Sequence, residues 1–494
     1  MQDPASNPAS EYEQERRAKL QKLRDLGIDP FGGRVEGVQS LKDIRAQFKA
    51  DAPPEQWPTV KGAGRVMLKR DMGKLSFLTL RDETGDLQVG IDRKRVDDTS
   101  WNVNNLTDLG DQLVVEGHLG VTKKGEPTIW AKNVSMASKA LLPPPAKWEG
   151  LSDVELRYRQ RYVDLWANPE VMKLAKLRTR VVEEIRKYLT DRGYIEVETP
   201  MMQVMHGGAA ARPFETHHKA LDTKLFLRIA PELFLKRLLV GGFSKVFEIN
   251  RNFRNEGISP RHNPEFTMLE AYEAYGSWET MAEMVEGLIC HVAETVFGTL
   301  EITHPNGRKI NLKRPWRRAR MADLVTERTG WRFTKEPLTT EQIGSLRQTN
   351  PGKELKLNGI PAEQLVEVYE KLIEPTLIDP TFVTHVPSVV IPLARQTQDD
   401  PYFADVYELA INGVEISPGY SELNDPDKQR YQFGHQVGDK EEQQKVDEDF
   451  LTALKYGMPP AGGMGMGIDR LMMLLTGAES IRDVILFPLM RPNA

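Results

Sequence analysis

The segment from Lys245 to Tyr275 restricts the fold of this 494-residue chain more than any other stretch. Its two halves alternate in polarity, which is typical of two β-strands that return on each other. One face of the predicted pair collects nine side chains: Val246, Glu248, Asn250, Asn252, Arg254, Phe266, Met268, Glu270 and Tyr272. Buried charge is costly unless something compensates it, so this face predicts a ligand site. A solvated sheet face with incidental charges is the alternative, but the opposite face is apolar.

A second pattern surrounds Asn412-Gly413, a dipeptide that strongly favours a two-residue β-hairpin turn. The turn is expected to place residue 410 opposite 415 and residue 408 opposite 417, which makes Glu408 and Glu415 diagonal neighbours. Two carboxylates so close repel each other unless a cation lies between them, and oxygen ligands suit Mg²⁺. The hairpin therefore predicts a pair of magnesium ligands. Exposure to solvent is the alternative, because water would also weaken the repulsion between the two carboxylates.

A glycine-rich run, Gly462–Gly467, precedes Ile468-Asp469-Arg470. Glycines let the backbone pass close to a ligand, and we expect the following helix to begin with Arg470. A dinucleotide-binding loop or a P-loop would need a βαβ context or a Gly-Lys-Ser/Thr ending, which this run lacks. A glycine-rich packing seam under a methionine-rich helix is the remaining alternative.

The N-terminal part changes pattern twice. Apolar residues at helical spacing predict a helix from Glu11 to Leu26, which ends at Gly27. Between about residues 62 and 134 the chain shows about five short strands, among them 77–80, 87–91, 113–115 and 128–130. Five strands in this length indicate a small barrel, of which the OB-fold is the nucleic-acid-binding kind. Any other small all-β domain remains an alternative.

The chain length predicts several domains. The order of helical and strand patterns, with the glycine and proline residues between them, predicts an α+β protein. We expect a helical extension at 1–60, a barrel at 61–140, a linker at 141–165 that contains Pro143–Pro145, and a mixed domain at 166–494. In that domain an amphipathic helix ends at Gly193, and a strand over 194–199 ends at Pro200. Residues 301–375 read as a polar, irregular insertion with one helix from Pro361 to Glu374.

Composition limits the function classes. A formal net charge of −5 excludes a general nucleic-acid coat, so any nucleic acid must meet local basic patches such as Lys69, Arg70, Lys74 and Arg81. No apolar run suits a membrane span, and the first ten residues lack the segments of a signal peptide. The single cysteine, Cys290, excludes an internal disulfide and fits a cytoplasmic location.

The motifs above resemble those of the class II aminoacyl-tRNA synthetases, and most closely the lysyl-tRNA synthetases. Asn252–Gly257 with Arg261–Phe266 is similar to the second family motif, and Gly465–Arg470 is similar to the third. The helix and strand that end at Pro200 resemble the first. The likeness covers nearly the whole chain. It implies an OB-fold anticodon-binding domain, a catalytic domain with an antiparallel sheet flanked by helices, and a homodimer with Pro200 near its interface.

The resemblance also implies roles for single residues around ATP. Arg254 would hold the lysine carboxylate and the α-phosphate, and together with Arg470 it would be catalytic. Adenine would lie between Phe266 and Arg470, because a guanidinium stacks on a ring. The remaining nucleotide and metal contacts would be Glu256 to adenine, Arg261 and His262 to the outer phosphates, and Glu408 and Glu415 to Mg²⁺.

The acidic residues of the implied amino-acid pocket select a cation, whereas a pocket for aspartate would need basic residues. Glu232 and the Gly207 region would hold the α-amino group of lysine. The ε-ammonium would meet Glu270, Tyr272 and Glu422. Pro418 departs from the family pattern, which often has an asparagine there that helps to hold the substrate carboxylate.

In the barrel, Phe77, Gln88 and Glu126 resemble the anticodon-reading set of the family, and aromatic stacking is a common way to read single-stranded RNA. The expected activity is therefore lysine–tRNA ligation, with tRNA(Lys), lysine and ATP as partners. Three alternatives stay open: a lysine-activating relative that modifies a protein such as elongation factor P, a synthetase for aspartate or asparagine, and a catalytically inactive RNA-binding protein. Relatives that modify proteins lack the OB-fold, and the acidic pocket disfavours aspartate and asparagine.

Overall fold

The protein is described by a computed structural model that covers residues 11–49, 51–144, 151–348, 351–357, 359–437 and 443–492. The first ten residues and Pro145 of the predicted linker lie outside these ranges. The chain divides into two compact units, Met1–Met172 and Lys173–Ala494. None of the helices in the described ranges is long and apolar enough to cross a membrane.

The first unit is built around a closed five-stranded barrel with the strand order β1-β2-β3-β5-β4. Its strands are β1 (Thr59–Asp71), β2 (Leu75–Asp82), β3 (Gly85–Asp92), β4 (Gln112–Val121) and β5 (Pro127–Ser138). Its helices are α1 (Glu11–Asp25), α2 (Leu41–Ala46), α3 (Asp98–Leu106), α4 (Val154–Arg159) and α5 (Arg161–Ala167). The structure confirms the predicted N-terminal helix and the strands predicted within 77–80, 87–91, 113–115 and 128–130.

Alternation along the strands decides which side chains fill the barrel and which face outward. On β2, Ser76, Leu78 and Leu80 are buried, whereas Phe77 and Thr79 between them are only half-buried. The inward set forms one apolar core, with members such as Leu78, Leu80, Val89, Ile91, Leu113, Val115 and Ile129. The outer surface of β2 and β3 is thereby left free for polar and aromatic side chains.

The second unit has a central eight-stranded sheet with the order β14-β15-β16-β17-β18-β11-β10-β6. Its strands are β6 (Ile195–Glu196), β10 (Lys245–Phe253), β11 (Glu265–Ala274), β14 (Arg317–Arg320), β15 (Thr381–Thr384), β16 (Val406–Ile411), β17 (Val414–Ser421) and β18 (Ala461–Gly467). Two smaller sheets contain β7 (Met202–Gln203), β8 (Glu215–His218), β9 (Thr223–Leu227), β12 (Glu301–Thr303) and β13 (Lys309–Asn311). The central pairs are antiparallel, and parallel pairing is confined to β6–β10 and β14–β15.

Ten helices accompany these sheets in the described part of the chain. They are α6 (Pro169–Thr190), α7 (Glu232–Val240), α8 (Trp278–Val292), α9 (Met321–Thr329), α10 (Thr340–Leu346), α11 (Pro361–Val368), α12 (Pro426–His435), α13 (Glu448–Lys455), α14 (Ile468–Thr476) and α15 (Ile481–Val484). The apolar face of the sheet packs on several of them through a core that includes Ile185, Phe247, Leu269, Val285, Met464, Met466 and Leu471. The α+β architecture predicted from the sequence is confirmed, and the other face of the sheet is left for the site.

Several local predictions are wrong. Residues 301–375 are not irregular, because they include β12–β14 and α9–α11 and contribute Met321, Leu324 and Val325 to a separate apolar core. The helix predicted from Pro361 to Glu374 is confirmed, and it is an α-helix to Val368 that continues as a π-helix to Ile373. The strand expected at 194–199 is paired only at Ile195–Glu196, at the edge of the sheet. The last glycine-rich segment is itself a strand, and α14 begins at Ile468.

Candidate active site

A cavity of about 470 Å³ lies over the polar face of the central strands in the second unit. Most of the predicted site residues line it: Glu232, Arg254, Glu256, Arg261, His262, Phe266, Glu270, Tyr272, Glu408, Glu415 and Arg470. Gly207 is buried against Leu233, and its neighbour Gly208 lines the cavity instead. Glu422 lies buried behind the wall. The structure therefore brings together, around one cavity, residues that are far apart in the sequence.

The register of β10 and β11 explains the polar wall. Glu248 lies opposite Glu270, and Asn252 lies opposite Phe266, so the predicted polar face is confirmed. On the next strand, Gly463 and Gly465 lie opposite Tyr272 and Glu270. A Cβ added at Gly463 would lie 2.0 Å from Oε1 of Glu422, and one added at Gly465 would lie 2.5 Å from Cε of Met268. Gly465 thus keeps a side chain out of the cavity wall, and Gly463 leaves room for the side chains of Glu422 and Tyr272.

One end of the cavity is acidic. The phenol of Tyr272 donates a hydrogen bond of 3.1 Å to Oε2 of Glu270, and both side chains are buried. Burial raises the pKa of the Glu270 carboxyl well above its usual value, and the charge of Glu232 adds to this effect. Burial also raises the pKa of the Tyr272 phenol. A cation placed here would relieve both the desolvation and the repulsion.

Behind that end lies an ion-pair cluster that the motif analysis missed. The ammonium of Lys236 lies 2.9 Å from Oε1 of Glu232 and also contacts Oε2 of Glu422. Burial lowers the pKa of Lys236, but the two carboxylates outweigh burial and raise this pKa above its usual value. Burial raises the pKa of Glu422 to about 8, although Lys236 opposes the shift. The Glu-x-x-x-Lys spacing on α7 was the available signal, because residues four apart share a helix face.

The carboxylate pair expected at the hairpin is present, but its register differs from the prediction. Asn412 and Gly413 have positive φ angles of 56° and 71°, as the predicted turn requires. Ala410 lies opposite Glu415 as expected, whereas Glu408 lies opposite Pro418 and not residue 417. A β-bulge between Leu409 and Ala410 shifts the pairing by one residue.

Despite the bulge, Glu408 and Glu415 both line the cavity. Burial raises the pKa of Glu408 well above its usual value, and the charge of Glu415 adds the next largest effect. Glu374 follows the π-turn of the 301–375 segment, and burial raises its pKa to about 7, with Glu415 again contributing. This side of the cavity therefore has an excess of negative charge that a divalent cation would neutralise.

The other end of the cavity carries guanidinium groups. The Cζ atom of Arg254 lies 5.1 Å from the centroid of the Phe266 ring. Arg470 donates a hydrogen bond of 3.0 Å to the backbone carbonyl of Glu415, and its second terminal nitrogen lies 3.4 Å from Nε2 of His262. Burial and Arg470 together lower the pKa of His262. Positive charge is thus concentrated opposite the acidic end, where an anionic ligand fits.

Asp469 and Arg178 hold this end in place, and the motif analysis gave neither a role. Asp469 accepts a hydrogen bond of 2.8 Å from the backbone N–H of Thr267. Arg178 lies 2.7 Å from Oδ1 of Asp469 and donates a hydrogen bond of 3.1 Å to Oγ1 of Thr267. The start of α14, and with it Arg470, is thereby fixed against β11.

On the barrel, the predicted anticodon residues have different surroundings. Phe77 is half-buried on the outer face, with its ring centroid 5.9 Å from that of Trp130 and the two planes at 69°. Gln88 donates a hydrogen bond of 2.8 Å to Thr128 Oγ1, and Glu126 is exposed, with an oxygen 3.4 Å from Arg45. Phe77 and Trp130 together form an edge-to-face aromatic pair.

The basic residues predicted to attract phosphate are not equivalent. Lys69 donates hydrogen bonds to the carbonyls of Asn104 and Thr107, at 2.6 and 3.2 Å, and is largely withdrawn from the surface. Arg81 forms a salt bridge with Asp86, with Nε 2.6 Å from Oδ1. Arg70 and Lys74 are exposed and remain candidates for phosphate contacts.

Comparison with known proteins decides the family. The profile of "tRNA synthetases class II (D, K and N)" matches residues 153–491, and that of "OB-fold nucleic acid binding domain" matches residues 60–137. A lysine–tRNA ligase of Carboxydothermus hydrogenoformans is 50% identical, over 97% of this chain and 97% of its own. That of Pelotomaculum thermopropionicum is 48% identical, over 97% and 94%, and that of Bacillus subtilis is 45% identical, over 97% and 97%. The chain belongs to the lysine–tRNA ligase family.

Membership in the lysine–tRNA ligases makes the chain an ATP-dependent aminoacyl-tRNA ligase. It confirms the family and the OB-fold that the motifs and strand pattern predicted. Because the similarity extends over both units, a relative without the barrel and an inactive RNA-binding relative are both disfavoured. The roles of the individual side chains remain predictions.

Proposed function

We propose that this chain activates L-lysine with ATP, forming lysyl-adenylate and pyrophosphate, and then transfers lysine to the 3′ end of tRNA(Lys). The observation that carries the proposal is one cavity lined by the Glu270 carboxyl and by the guanidinium groups of Arg254 and Arg470. Along β11, Glu270 lies four residues beyond Phe266, the ring that Arg254 contacts. Lysine and ATP together present the complementary order of charge, from the ε-ammonium to the polyphosphate.

The chemistry of activation needs no protein nucleophile. A carboxylate oxygen of lysine attacks the α-phosphorus of ATP, a new P–O bond forms, and the bond to the pyrophosphate leaving group breaks. Arg254 is placed to hold the carboxylate and the α-phosphate, and Arg470 to balance the charge that develops nearby. Catalysis then consists of alignment and of charge neutralisation.

The nucleotide contacts follow from the same geometry. Phe266 offers a ring for adenine, Glu256 an acceptor for its amino group, and Arg261 and His262 donors for the outer phosphates. Arg470 would complete the adenine sandwich, because a guanidinium stacks on the opposite face of a base. All five side chains line the one cavity, which supports this assignment.

Glu408 and Glu415 have the chemistry of a magnesium site. Both are oxygen ligands, and within the described ranges neither forms an ion pair with a basic side chain, so a cation would complete the pair. No group of three or more His, Cys, Asp or Glu in those ranges is arranged to hold a metal ion. ATP phosphates and water would therefore supply the other ligands. When bound, Mg²⁺ would neutralise phosphate charge and polarise the phosphoryl group.

The acidic end supplies amino-acid selectivity. Glu232 and the Gly207–Gly208 backbone would hold the α-amino group of lysine, and Glu270, Tyr272 and Glu422 would surround the ε-ammonium. Pro418 lines the cavity and has no donor for the substrate carboxylate. We therefore assign that carboxylate to Arg254 alone among these residues.

The barrel would read the anticodon. Phe77 offers a partly exposed ring for stacking, and Gln88 and Glu126 offer groups for base edges. The first unit would thus select tRNA(Lys), while the second unit performs activation.

We further propose that two copies of the chain form a homodimer and that it acts in the cytoplasm, where translation takes place. Large apolar side chains near Pro200 are unusually exposed, among them Ile195 at 52%, Met202 at 58% and Val204 at 73%. Such a patch indicates an interaction surface. Light scattering on the purified chain measures the assembly directly, and a monomer at micromolar concentration would contradict the dimer.

Charging of tRNA distinguishes this function from protein modification. Radiolabelled lysine, ATP and Mg²⁺ are incubated with the chain and either tRNA(Lys) or tRNA(Asp). We expect label on tRNA(Lys) only, with the barrel variant Phe77→Ala as a partial-loss control. Formation of adenylate without transfer to any tRNA would contradict the proposal and favour a protein acceptor.

A further inference from the structure

Lys236 is a fully buried lysine whose ammonium is held from three directions. Glu232 lies one turn earlier on α7, Glu422 directly follows β17, and the carbonyl of Leu393 accepts a hydrogen bond of 3.2 Å. The Lys236 side chain does not line the cavity, whereas Glu232 and Leu393 do. Lys236 therefore supports the cavity wall from behind.

The position of Glu422 depends on this contact. Its backbone N–H donates to the carbonyl of Ala461 at 2.8 Å, which fixes the main chain but not the carboxylate. Within the described ranges both carboxylate oxygens of Glu422 are buried without a hydrogen bond of normal geometry, and Oε1 has no ion-pair partner either. Since Lys236 contacts the other oxygen, Oε2, it restricts the carboxylate to one orientation and leaves Oε1 for another cation. A Cβ at Gly463 would lie 2.0 Å from that Oε1 and 2.5 Å from Cε1 of Tyr272, so Gly463 leaves room for this oxygen beside the Tyr272 ring.

At the acidic end, the described carboxyl groups outnumber the ammonium groups. Among the residues that the structure describes, three carboxyls, those of Glu232, Glu270 and Glu422, are buried there with one ammonium, that of Lys236. The neighbouring Arg228 is already paired with Glu248 at 2.7 Å, and the phenols of Tyr272 and Tyr420 are neutral. When all three carboxyls are ionised, as a bound cation favours, they and the one ammonium leave two negative charges. Free lysine brings two ammonium groups, which match this number, and its carboxylate lies toward Arg254.

We propose that Lys236 is a specificity-determining positioning residue, which orients the Glu422 carboxylate and sets the net charge of the amino-acid pocket to match a diamino substrate. The inference rests on the proposed function, because it takes lysine as the ligand. Lys236 does not touch the substrate in this account. It acts through Glu232 and Glu422.

If Lys236 had a purely structural role, it would only hold α7 against the end of β17. Its loss would then lower stability without changing the number of protons released when lysine binds. A positioning lysine has a different signature. Without the internal ammonium, one carboxyl keeps a proton at neutral pH, and binding of substrate lysine must expel it. The number of protons released on binding therefore separates the two roles.

The test uses the full-length chain and the variant Lys236→Met, which keeps the aliphatic length and removes the charge. Exchange of ATP with pyrophosphate gives KM for lysine and kcat. Calorimetry of lysine binding at pH 7.5, in buffers of different ionisation enthalpy, gives the proton count. We expect KM to rise by at least roughly tenfold with kcat changed less, because one side of a buried charged pair is removed. We also expect about one additional proton to be released per lysine bound.

Lys245→Met is the matched control, because Lys245 lies 2.7 Å from Glu273 on the neighbouring strand, outside the cavity lining. It should retain the wild-type KM and proton count. Lys236→Arg keeps the charge with a larger head group, and should raise KM while the proton count stays at the wild-type value. If Lys236→Met does not fold, Lys236→Arg decides, and a wild-type KM in that variant would overturn the proposal.

A Lys236→Met variant that folds and keeps both the wild-type KM and proton count would also overturn it. Failure of the proposed function looks different, since the wild type itself would then show no lysine-dependent exchange.

Discussion

Tyr272 and Glu270 lie two residues apart on β11, and the Tyr272 phenol donates a 3.1 Å hydrogen bond to the Glu270 carboxyl inside the cavity. Side chains at this spacing share a face of a strand, so the contact is a direct consequence of the alternating pattern. The bond occupies one carboxylate oxygen and leaves the other for a ligand. Because both groups are buried, a cationic ligand compensates a charge that water cannot reach.

Glu270→Gln and Glu422→Gln each keep side-chain shape and remove one negative charge. Truncating one side of a buried charged pair costs about 2–5 kcal/mol, so kcat/KM for lysine should fall at least roughly thirtyfold. ATP affinity should change little. The wild type should reject norleucine, which lacks the ammonium, and the double variant should lose much of that discrimination. Glu273→Gln, on the same strand but outside the cavity lining, is the control. Unchanged preference for lysine over norleucine in all three variants would refute this placement of the ammonium.

Lysine affinity should rise with pH. Burial raises the pKa of Glu422 to about 8, and the pKa of Glu270 is also raised. Below these values the carboxyls carry protons that a substrate ammonium must displace, and above them they are ionised. The dissociation constant for lysine, measured by calorimetry between pH 6.5 and 8.5, should fall as the pH rises, by up to about tenfold per pH unit for each carboxyl that loses its proton. The contribution of Glu422 should level off above about pH 8. A flat profile would mean that the carboxyls are already ionised in the free enzyme.

Much of the site was predictable because it depends on local alternation. The faces of β10 and β11 follow from a period of two, and the Asn412-Gly413 turn from the left-handed conformations that these residues tolerate. Such patterns are properties of a few consecutive residues. The catalytic pocket could be recognised from them together with the family motifs.

Other features could not be predicted from the sequence, for physical reasons. The bulge at Leu409/Ala410, which moved Glu408 opposite Pro418, depends on pairing with a neighbouring strand and has no unique local signature. The pairing of Lys236 with Glu422 joins segments that are distant in the chain. In the 301–375 segment, β14 pairs in parallel with β15, and its short elements bury apolar residues only once that edge of the sheet has formed.

Magnesium dependence should be sensitive to the Glu408–Glu415 pair. Removal of divalent ions with a chelator should abolish ATP–pyrophosphate exchange, and added Mg²⁺ should restore it. Glu408→Gln and Glu415→Gln should each raise the Mg²⁺ concentration for half-maximal exchange by at least about tenfold, since each removes a charged oxygen ligand. Glu301→Gln removes an exposed carboxylate that pairs with Lys313, and should have no effect. If both variants reached half-maximal exchange at the same Mg²⁺ concentration as the wild type, the metal would lie elsewhere.

Phe77→Ala should separate the two units functionally. Base–aromatic stacking is worth roughly 1–3 kcal/mol, so tRNA charging efficiency should fall by about one to two powers of ten. Exchange of ATP with pyrophosphate should stay near the wild-type rate, because the barrel takes no part in activation. Met72→Ala, at an exposed turn of the same barrel, is the control. An equal loss of exchange and charging would reassign Phe77 to a structural role with Trp130.

We propose that the acidic end of the cavity selects lysine for activation by ATP. The most direct measurement is ATP–pyrophosphate exchange by the purified chain with each of the twenty amino acids, at saturating ATP and Mg²⁺. We expect efficient exchange with lysine alone. Exchange with aspartate or asparagine that equals or exceeds that with lysine would contradict it.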